Sequence, residues 1–90
     1  MSWDDRANRI DRDRPDYVWR QIADDIRADI ESGALPERAK LPSGPELAEI
    51  YGVANATIAN AISALRDEGV VVVLRGRGTF VAEKRNRDGN

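Results

Sequence analysis

The sequence predicts a mainly α-helical domain of the α+β class, in which three helices are followed by a small β-hairpin. Apolar side chains recur at helical spacing in three stretches, and short segments containing glycine or proline separate these stretches. After the third stretch, a valine run too short for a helix leads into a glycine-containing turn and a second β-compatible segment. Ninety residues that are 41% hydrophobic can bury the core of one domain. We place it at residues 15–82, between a flexible charged N-terminal segment, 1–14, and a flexible tail, 83–90.

The first helix is predicted to start at Pro15 and Asp16 and to run to about Ser32, where Gly33 supplies the C-cap. Its apolar stripe recurs every four residues and consists of Val18, Ile22, Ile26 and Ile30. The preceding residues 1–14 alternate in charge and offer few apolar contacts. They are interpreted as disordered or as a loosely docked turn of helix.

The second helix is predicted to be short, over about residues 45–51, and to begin with a capping box. Ser43 can accept a hydrogen bond from the backbone N–H of Glu46, whose carboxylate reaches back to Ser43. Pro45 is tolerated because the first N–H groups of a helix have no intrahelical partner. Gly52 ends this helix, and a turn of two residues leads to the third.

The third helix, predicted over residues 55–69, has two contrasting faces. Its core stripe recurs at i, i+3, i+4 and i+7 and consists of Ile58, Ala61, Ile62 and Leu65. Asn55 is the best available N-cap. The opposite face is small and neutral, where a solvated helix would carry charges; it consists of Ala56, Asn60 and Ser63. We therefore expect another surface to lie against it.

A hairpin with arginines at its tip is predicted to follow. Residues 70–74 are interpreted as a buried strand and residues 79–81 as the returning strand, with a short edge strand earlier, at residues 40–41. The turn between the two strands is Arg75, Gly76, Arg77 and Gly78. Its glycines allow close backbone approach, and its arginines can follow phosphates or enter a narrow minor groove. The alternative is an ordinary hairpin turn with solvated arginines.

The composition argues against an enzyme. The chain has no cysteine and no histidine, which removes disulfides, the usual zinc sites and the Ser-His and Cys-His nucleophile pairs. We expect no cofactor and no metal site. No apolar run approaches the ~20 residues that span a bilayer, and the charged N-terminus does not resemble a signal peptide. A cytoplasmic protein is expected.

Positive charge is concentrated at the end of the chain. The formal net charge is −2, yet residues 73–90 hold five basic and two acidic side chains. Binding to a phosphate backbone depends on the local patch and not on the sum over the chain. The alternative for Lys84, Arg85 and Arg87 is a solubilising tail.

Two helices joined by a short glycine-bearing turn, followed by a hairpin, predict a winged helix-turn-helix whose third helix lies in the DNA major groove. The sequence closely resembles the winged helix-turn-helix domain of the GntR family of bacterial transcriptional regulators, over about residues 17–81. The resemblance rests on Gln21-Ile22-Ala23, Gly33-x-Leu35, Leu41-Pro42-Ser43, Glu46-Leu47-Ala48, Gly52-Val53, Thr57-Ile58, Glu68-Gly69 and Gly76-x-Gly78-Thr79-Phe80-Val81. It implies a sequence-specific regulator that binds an operator with two related half-sites as a dimer. Repression by steric block of a promoter is the expected mode.

The chain departs from the family pattern at three positions that usually carry arginine. These positions hold Pro45, Asn55 and Ala59, and Gly44 stands where the family usually has glutamate. Each lost arginine contact to guanine removes roughly 1 to 3 kcal/mol of discrimination. The resemblance with these departures predicts an A·T-leaning preference and binding weaker than the family norm. The alternative function is a winged-helix protein-interaction module with weak or lost DNA binding.

The candidate DNA-binding residues are Lys40, Ser43, Asn55, Thr57, Asn60, Arg75, Gly76, Arg77 and Gly78. Asn55 can serve either as the N-cap or as an adenine reader, and Asn60 is the better adenine reader by position. Thr57 can reach a phosphate or a thymine methyl, while Ser43 presents backbone N–H groups to a phosphate or only caps its helix. The expected partner is double-stranded DNA.

A weak homodimer is a further expectation, with Trp3, Ile10 and the surface of the first helix as its candidate contacts. No effector-binding domain is expected within these 90 residues.

Overall fold

Three helices and a two-stranded antiparallel hairpin follow one another in the order that the sequence predicts. The computed structural model describes residue 3 and residues 6–14 and 17–83. Its elements are a short 3-10 helix Arg6–Arg9, α1 Val18–Ser32, α2 Gly44–Tyr51, α3 Asn55–Asp67, β1 Val71–Leu74 and β2 Gly78–Val81. The predicted helix start at Pro15 and Asp16 and the basic tail, 84–90, lie outside the described residues. None of the described helices has the length and apolarity needed to cross a membrane.

The core lies between α1 and α3, with α2 and the base of the hairpin closing its sides. Its most completely buried apolar side chains are Ile22, Ala23, Ile26, Leu47, Tyr51, Ile58, Ala61, Leu65, Val71 and Val81. These are mainly the stripes that periodicity predicts for the three helices. Val18 and Ile62 differ, since both are only partly buried and pack at the edge of the core. The inner face of α3 is therefore fixed by packing, and its other face points outward.

The capping box at the start of α2 is confirmed. Ser43 Oγ accepts a hydrogen bond from the Glu46 backbone N–H at 3.2 Å, and Glu46 Oε1 accepts one from the Ser43 N–H at 2.9 Å. The helix ends at Gly52, whose φ of 69° lies in the left-handed region. Gly52 N–H then donates to Glu49 O, and Val53 N–H donates to Ala48 O at 2.9 Å. The turn between α2 and α3 is thus tight and closed by backbone hydrogen bonds.

The prediction that Asn55 caps α3 is wrong. The N-cap is Ala54, with extended φ and ψ of −72° and 154° and no side-chain hydrogen bond, and Asn55 is the first helical residue. Tertiary packing decides this boundary: Val53 is already held by α2, and Ile58 must face the core, so the helix starts one residue earlier than capping preference favours. The exposed Asn55 amide makes no hydrogen bond to a described residue.

The hairpin projects from the helices more than its composition suggests. β1 pairs with β2 in a register running from Val71 opposite Val81 to Leu74 opposite Gly78, and Lys40 forms an isolated bridge to Phe80 at the predicted edge-strand position. The prediction of a buried strand is wrong, because only the first residue of β1 is buried. The exposed fractions of Val72, Val73 and Leu74 are 37%, 47% and 46%. Only the base of the hairpin packs on the helices, so a run of valines does not guarantee burial here.

Residues 6–14 pack against the helices, unlike the disordered or loosely docked turn that their charges suggest. Arg6 is fully buried, and its guanidinium pairs with Asp25, at 2.8 Å, and with Asp29. Tyr51 Oη donates to the same Asp25 carboxylate at 2.7 Å. The indole ring of Trp3 lies 4.1 Å from the Arg6 guanidinium carbon. The segment therefore ties α1 to the end of α2 through a buried charge cluster.

Two further contacts fix this segment. Arg12 Nη2 donates to the carbonyl oxygens of Tyr51, at 3.2 Å, and Gly52, at 3.0 Å, at the end of α2. Ile10 is buried in the core, 8% exposed. The prediction that Ile10 contacts a second copy of the chain is therefore wrong, because its side chain is not available at the surface.

Acid should weaken the fold through Asp25. Burial by itself raises the pKa of Asp25, but hydrogen bonds from Tyr51, Arg9 and Arg6 outweigh it, so the pKa of Asp25 lies below its ordinary value of 3.8. A folded-state pKa below the unfolded value adds stability that is present above about pH 4 and is lost as pH falls through the folded pKa. We expect the melting temperature to fall in this acidic window, and to fall less in Asp25→Asn.

Circular dichroism melts from about pH 6 to about pH 2 measure this difference. Glu31→Gln is the matched control, because Glu31 is exposed on the same helix, and its melting profile should follow that of the unmodified chain. Equal acid sensitivity in all three proteins would show that Asp25 does not carry the effect.

Candidate nucleic-acid interface

Six of the predicted DNA-binding residues line one open cleft between the start of α2 and the hairpin. They are Lys40, Ser43, Arg75, Gly76, Arg77 and Gly78, and we call this set the basic cradle. The cleft has a volume of about 440 Å³. The isolated bridge between Lys40 and Phe80 holds Lys40 beside the hairpin, which explains why a residue 35 positions before Arg75 lies in the same cleft.

The cations of the basic cradle form no close ion pairs within the described part of the chain, although Lys40 attracts the Glu46 carboxylate at longer range. Neither Lys40, Arg75 nor Arg77 forms an ion pair with a described residue. By contrast, several arginines elsewhere pair with acids: Arg6, Arg9, Arg27, Arg38 and Arg66. The one acid in the cleft, Glu46, is turned to the helix start. The hydrogen bonds that Glu46 makes with Ser43 lower the pKa of Glu46, and the positive charge of Lys40 adds a smaller lowering.

The cap limits what the start of α2 can offer to a phosphate. The Ser43 hydroxyl and the Ser43 and Glu46 N–H groups are used in the capping box, and Pro45 has no N–H. The N–H of Gly44 is the remaining first-turn donor. Ser43 therefore contributes to the cleft mainly by shaping the helix start.

The three predicted residues on α3 lie apart from the basic cradle. Asn55 lines a second, adjoining groove, and Asn60 is exposed on the outer face of α3. Thr57 is partly buried one helical turn before Asn60, so the two share one side of the helix. The structure thus gathers six candidates in one cleft and places Asn55 next to it. Thr57 and Asn60 lie on α3 outside both clefts.

The adjoining groove was not predicted. It lies between α3, the start of α2 and β2, has a volume of about 390 Å³ and is lined by Pro42, Gly44, Pro45, Leu47, Asn55, Ile58, Ala59, Ile62 and Thr79. One signal was present in the sequence, since two prolines flank Ser43-Gly44 and leave no long polar side chain there. The partial exposure of Ile62, which periodicity assigns to the core, depends on how far the hairpin stands from α3 and is not readable from the pattern.

The two glycines of the hairpin tip have different reasons to be glycine. Gly76 has a φ of 76° and open space where a side chain would point. Gly78 has a φ of 124°, and a Cβ there would stand 2.9 Å from Cε of Lys40. Because the end of the Lys40 side chain is flexible and can move aside, the φ of Gly78 is the stronger reason for glycine at this position.

Alanine at Gly78 should be the costlier change. We expect Gly78→Ala to lower the free energy of unfolding by about 2 to 3 kcal/mol and Gly76→Ala by about 1 kcal/mol, since both strain the backbone but Gly78 lies further from any conformation open to alanine. Urea unfolding of the two variants measures the difference. Equal losses would contradict this account of Gly78.

The likeness to known proteins covers most of the chain. Residues 19–81 match the family model described as "Bacterial regulatory proteins, gntR family". The chain is 36% identical over 74 residues to the HTH-type transcriptional repressor NagR of Bacillus subtilis, an alignment that covers 82% of this chain and 30% of that protein. The chain thus spans about a third of the length of the curated relatives it matches.

Solved structures share the fold. YtrA from Sulfolobus acidocaldarius, a GntR-family transcription factor, superposes with a TM-score of 0.78 at 37% identity, covering 83% of this chain and 79% of that one. The DNA-binding domain of AraR, solved in complex with operator ORE1, superposes with a TM-score of 0.69 at 34% identity, covering 71% and 77%. The predicted winged helix-turn-helix is confirmed, and the family that it matches is one of regulatory proteins. The chain belongs to the GntR family of bacterial regulatory proteins.

Proposed function

We propose that this chain binds operator half-sites in double-stranded DNA, with α3 in the major groove and the hairpin on the adjacent backbone. The observation that carries the proposal is the basic cradle, where neither Arg75 nor Arg77 forms an ion pair with a described residue and Lys40 lies close enough to Glu46 only for a longer-range attraction. Cations without internal partners are available to replace the counterions of a phosphate backbone. The neighbouring outer face of α3 is small and uncharged, which allows close approach to base edges.

The dimensions support this arrangement. The major groove is about 12 Å wide and admits one α-helix, and the 13 residues of α3 span about 20 Å along its axis. With α3 inserted by its first turns, Asn60 and Thr57 face base edges and phosphates on one side. The hairpin arginines then meet the backbone or the narrow groove beside it. The operator complex of the AraR domain is consistent with the same use of this fold.

Repression is part of the proposal. NagR and the histidine utilization repressor of Klebsiella aerogenes are named as repressors. A domain that fills the major groove of a promoter blocks polymerase by occupying the site. Weak homodimerisation on two half-sites would add the affinity that the missing arginines at Pro45, Asn55 and Ala59 remove. Sedimentation of the chain with a duplex carrying one or two half-sites tests the dimer.

A titration of isotope-labelled protein with a mixed pool of short duplexes at low salt tests DNA binding. We expect chemical-shift changes clustered at Thr57, Asn60, Arg75 and Arg77, which shrink as salt is raised because binding releases counterions. Arg66, near the far end of α3, should not shift. The absence of any shift would refute DNA binding and favour the alternative, a protein-interaction module that uses the neutral face of α3.

A further inference from the structure

An apolar groove runs beside the first two turns of α3. Its walls are Pro42, Pro45, Leu47, Ile58, Ala59 and Ile62, and we call this set the apolar groove. Asn55 and Thr79 lie at its rim as polar groups. It holds about 390 Å³ of open space, enough for several methyl-sized groups.

The apolar groove and the basic cradle are continuous. Both clefts are lined by Gly44 and Thr79, so one ends where the other begins. A DNA backbone held by Arg75 and Arg77 therefore brings the neighbouring base edges alongside the groove. Charge complementarity in the cradle thus identifies the occupant of the groove as the same duplex.

Only one group on the base edges suits such walls. In the major groove, guanine, cytosine and adenine present hydrogen-bond donors and acceptors, and thymine adds an apolar C5-methyl. A polar base edge placed against Pro45, Ile58 and Ile62 would lose hydrogen bonds to water without replacement. A methyl group gains from leaving water there.

We infer that the apolar groove is a specificity site that accepts the C5-methyl groups of pyrimidines, and of thymine in particular. The inference rests on the proposed DNA binding and adds to it how sequence is read without the usual arginines. Ala59 determines the width of the groove, because its small side chain lies on the second turn of α3 and leaves the space open. Thymine is favoured over 5-methylcytosine because the exposed Asn55 amide at the rim can pair with an adenine in a neighbouring A·T pair.

The test compares duplexes that differ only in C5-methyl groups. Four short duplexes are titrated into the whole chain at low salt with fluorescence anisotropy: alternating A·T, the same with deoxyuridine for thymine, alternating G·C, and the same with 5-methylcytosine for cytosine. We expect about fourfold weaker binding for each enclosed methyl that deoxyuridine removes, the factor that corresponds to burying one CH2-sized group. The 5-methylcytosine duplex should bind more tightly than its unmethylated form and less tightly than the A·T duplex.

Two exposed alanines on α3 provide matched variants. Ala59→Leu fills the groove without changing charge and with little loss of helix propensity, so the preference for thymine over deoxyuridine should disappear. Ala56→Leu makes the same change outside the groove, on the outer face of α3; it should weaken binding to all four duplexes but keep the ratio of thymine to deoxyuridine affinity. Arg77→Ala should weaken binding to all four duplexes by the same factor, and the preference for thymine over deoxyuridine should remain. Far-UV circular dichroism confirms that each variant folds.

The outcomes separate this inference from the proposal on which it rests. Equal affinity for thymine and deoxyuridine duplexes, with binding that still depends on salt, would overturn the groove assignment and leave DNA binding intact. A gain with 5-methylcytosine without a loss with deoxyuridine would overturn the assignment to thymine. A thymine preference that survives in Ala59→Leu would overturn the location. No salt-dependent binding to any duplex would overturn both the proposed function and the inference.

Discussion

Replacing Arg6 with alanine is expected to lower the free energy of unfolding by about 3 to 5 kcal/mol. We expect this loss to be larger than that for any other single charged side chain of the protein. The side chain of Arg6 is fully buried and pairs with Asp25 and Asp29, which are themselves largely buried. Its removal leaves Asp29 without its cation and Asp25 with only the half-exposed Arg9 and the Tyr51 hydroxyl as partners, in a poorly solvated site. Both the desolvation of the charges and their mutual repulsion then oppose folding.

Arg9→Ala is the matched control. Arg9 contacts the same carboxylate, with 2.9 Å between Nη1 and Oδ1 of Asp25, but its side chain is 49% exposed. Exposed ion pairs contribute about 0 to 1 kcal/mol, so this variant should remain close to the unmodified chain. Urea unfolding followed by circular dichroism compares the two. A loss at Arg6 no greater than at Arg9 would contradict the burial argument.

A second pair of changes tests the cause and not only the size of the Arg6 effect. Adding Asp25→Asn and Asp29→Asn to Arg6→Ala removes the uncompensated charges and should recover part of the lost stability. If the loss arose only from missing packing of the arginine stem, the triple variant would gain nothing. This comparison stays informative even where Arg6→Ala alone is mostly unfolded.

Removing both hairpin arginines is expected to weaken DNA binding by roughly 100-fold at about 0.1 M salt, with a salt-dependence slope shallower by about 2. Arg75→Ala/Arg77→Ala deletes two of the three cations in the basic cradle, and neither forms an ion pair with a described residue. Stability should hardly change, since both side chains are exposed. Anisotropy titrations at several salt concentrations give both quantities.

The control must remove the same net charge from elsewhere. Arg20→Ala/Arg66→Ala does so at exposed positions on α1 and at the end of α3, away from the basic cradle. It should lower affinity only slightly, through the general field of the protein. Equal losses in the two double variants would show that net charge, and not the hairpin, holds the DNA.

The sequence predicts the helices well because burial there follows a period that can be read directly. The stripes of α1 and α3 contain the most buried isoleucines and leucines, and the Ser43 capping box forms as its residue types require. Where local preference competes with packing, packing decides. Asn55 is the better cap by type, yet Ala54 occupies that position because Ile58 must face the core.

Contacts between segments far apart in the chain could not be predicted from the periodicity of the sequence. Asp25 and Asp29 share one side of α1 by their i, i+4 spacing, but the burial of Arg6 also requires that residues 6–9 reach that side and that Tyr51 arrive from α2, and no local period expresses these two conditions. The exposure of β1 depends in the same way on how far the hairpin extends past the helices. The candidate site was predicted as a set of polar residues, and the tertiary structure adds the apolar groove beside them.

The two hydrogen bonds from Arg12 to the end of α2 bear on how this domain is trimmed for experiments. They join the N-terminal segment, residues 6–14, to the carbonyls of Tyr51 and Gly52, at the start of the turn between α2 and α3. The family match begins at residue 19, which suggests a fragment that starts at α1. Such a fragment would lack the Arg12 hydrogen bonds and would expose the Asp25 carboxylate, which Arg6 covers, to water. DNA affinities measured with such a fragment would therefore also reflect a less rigid turn between α2 and α3.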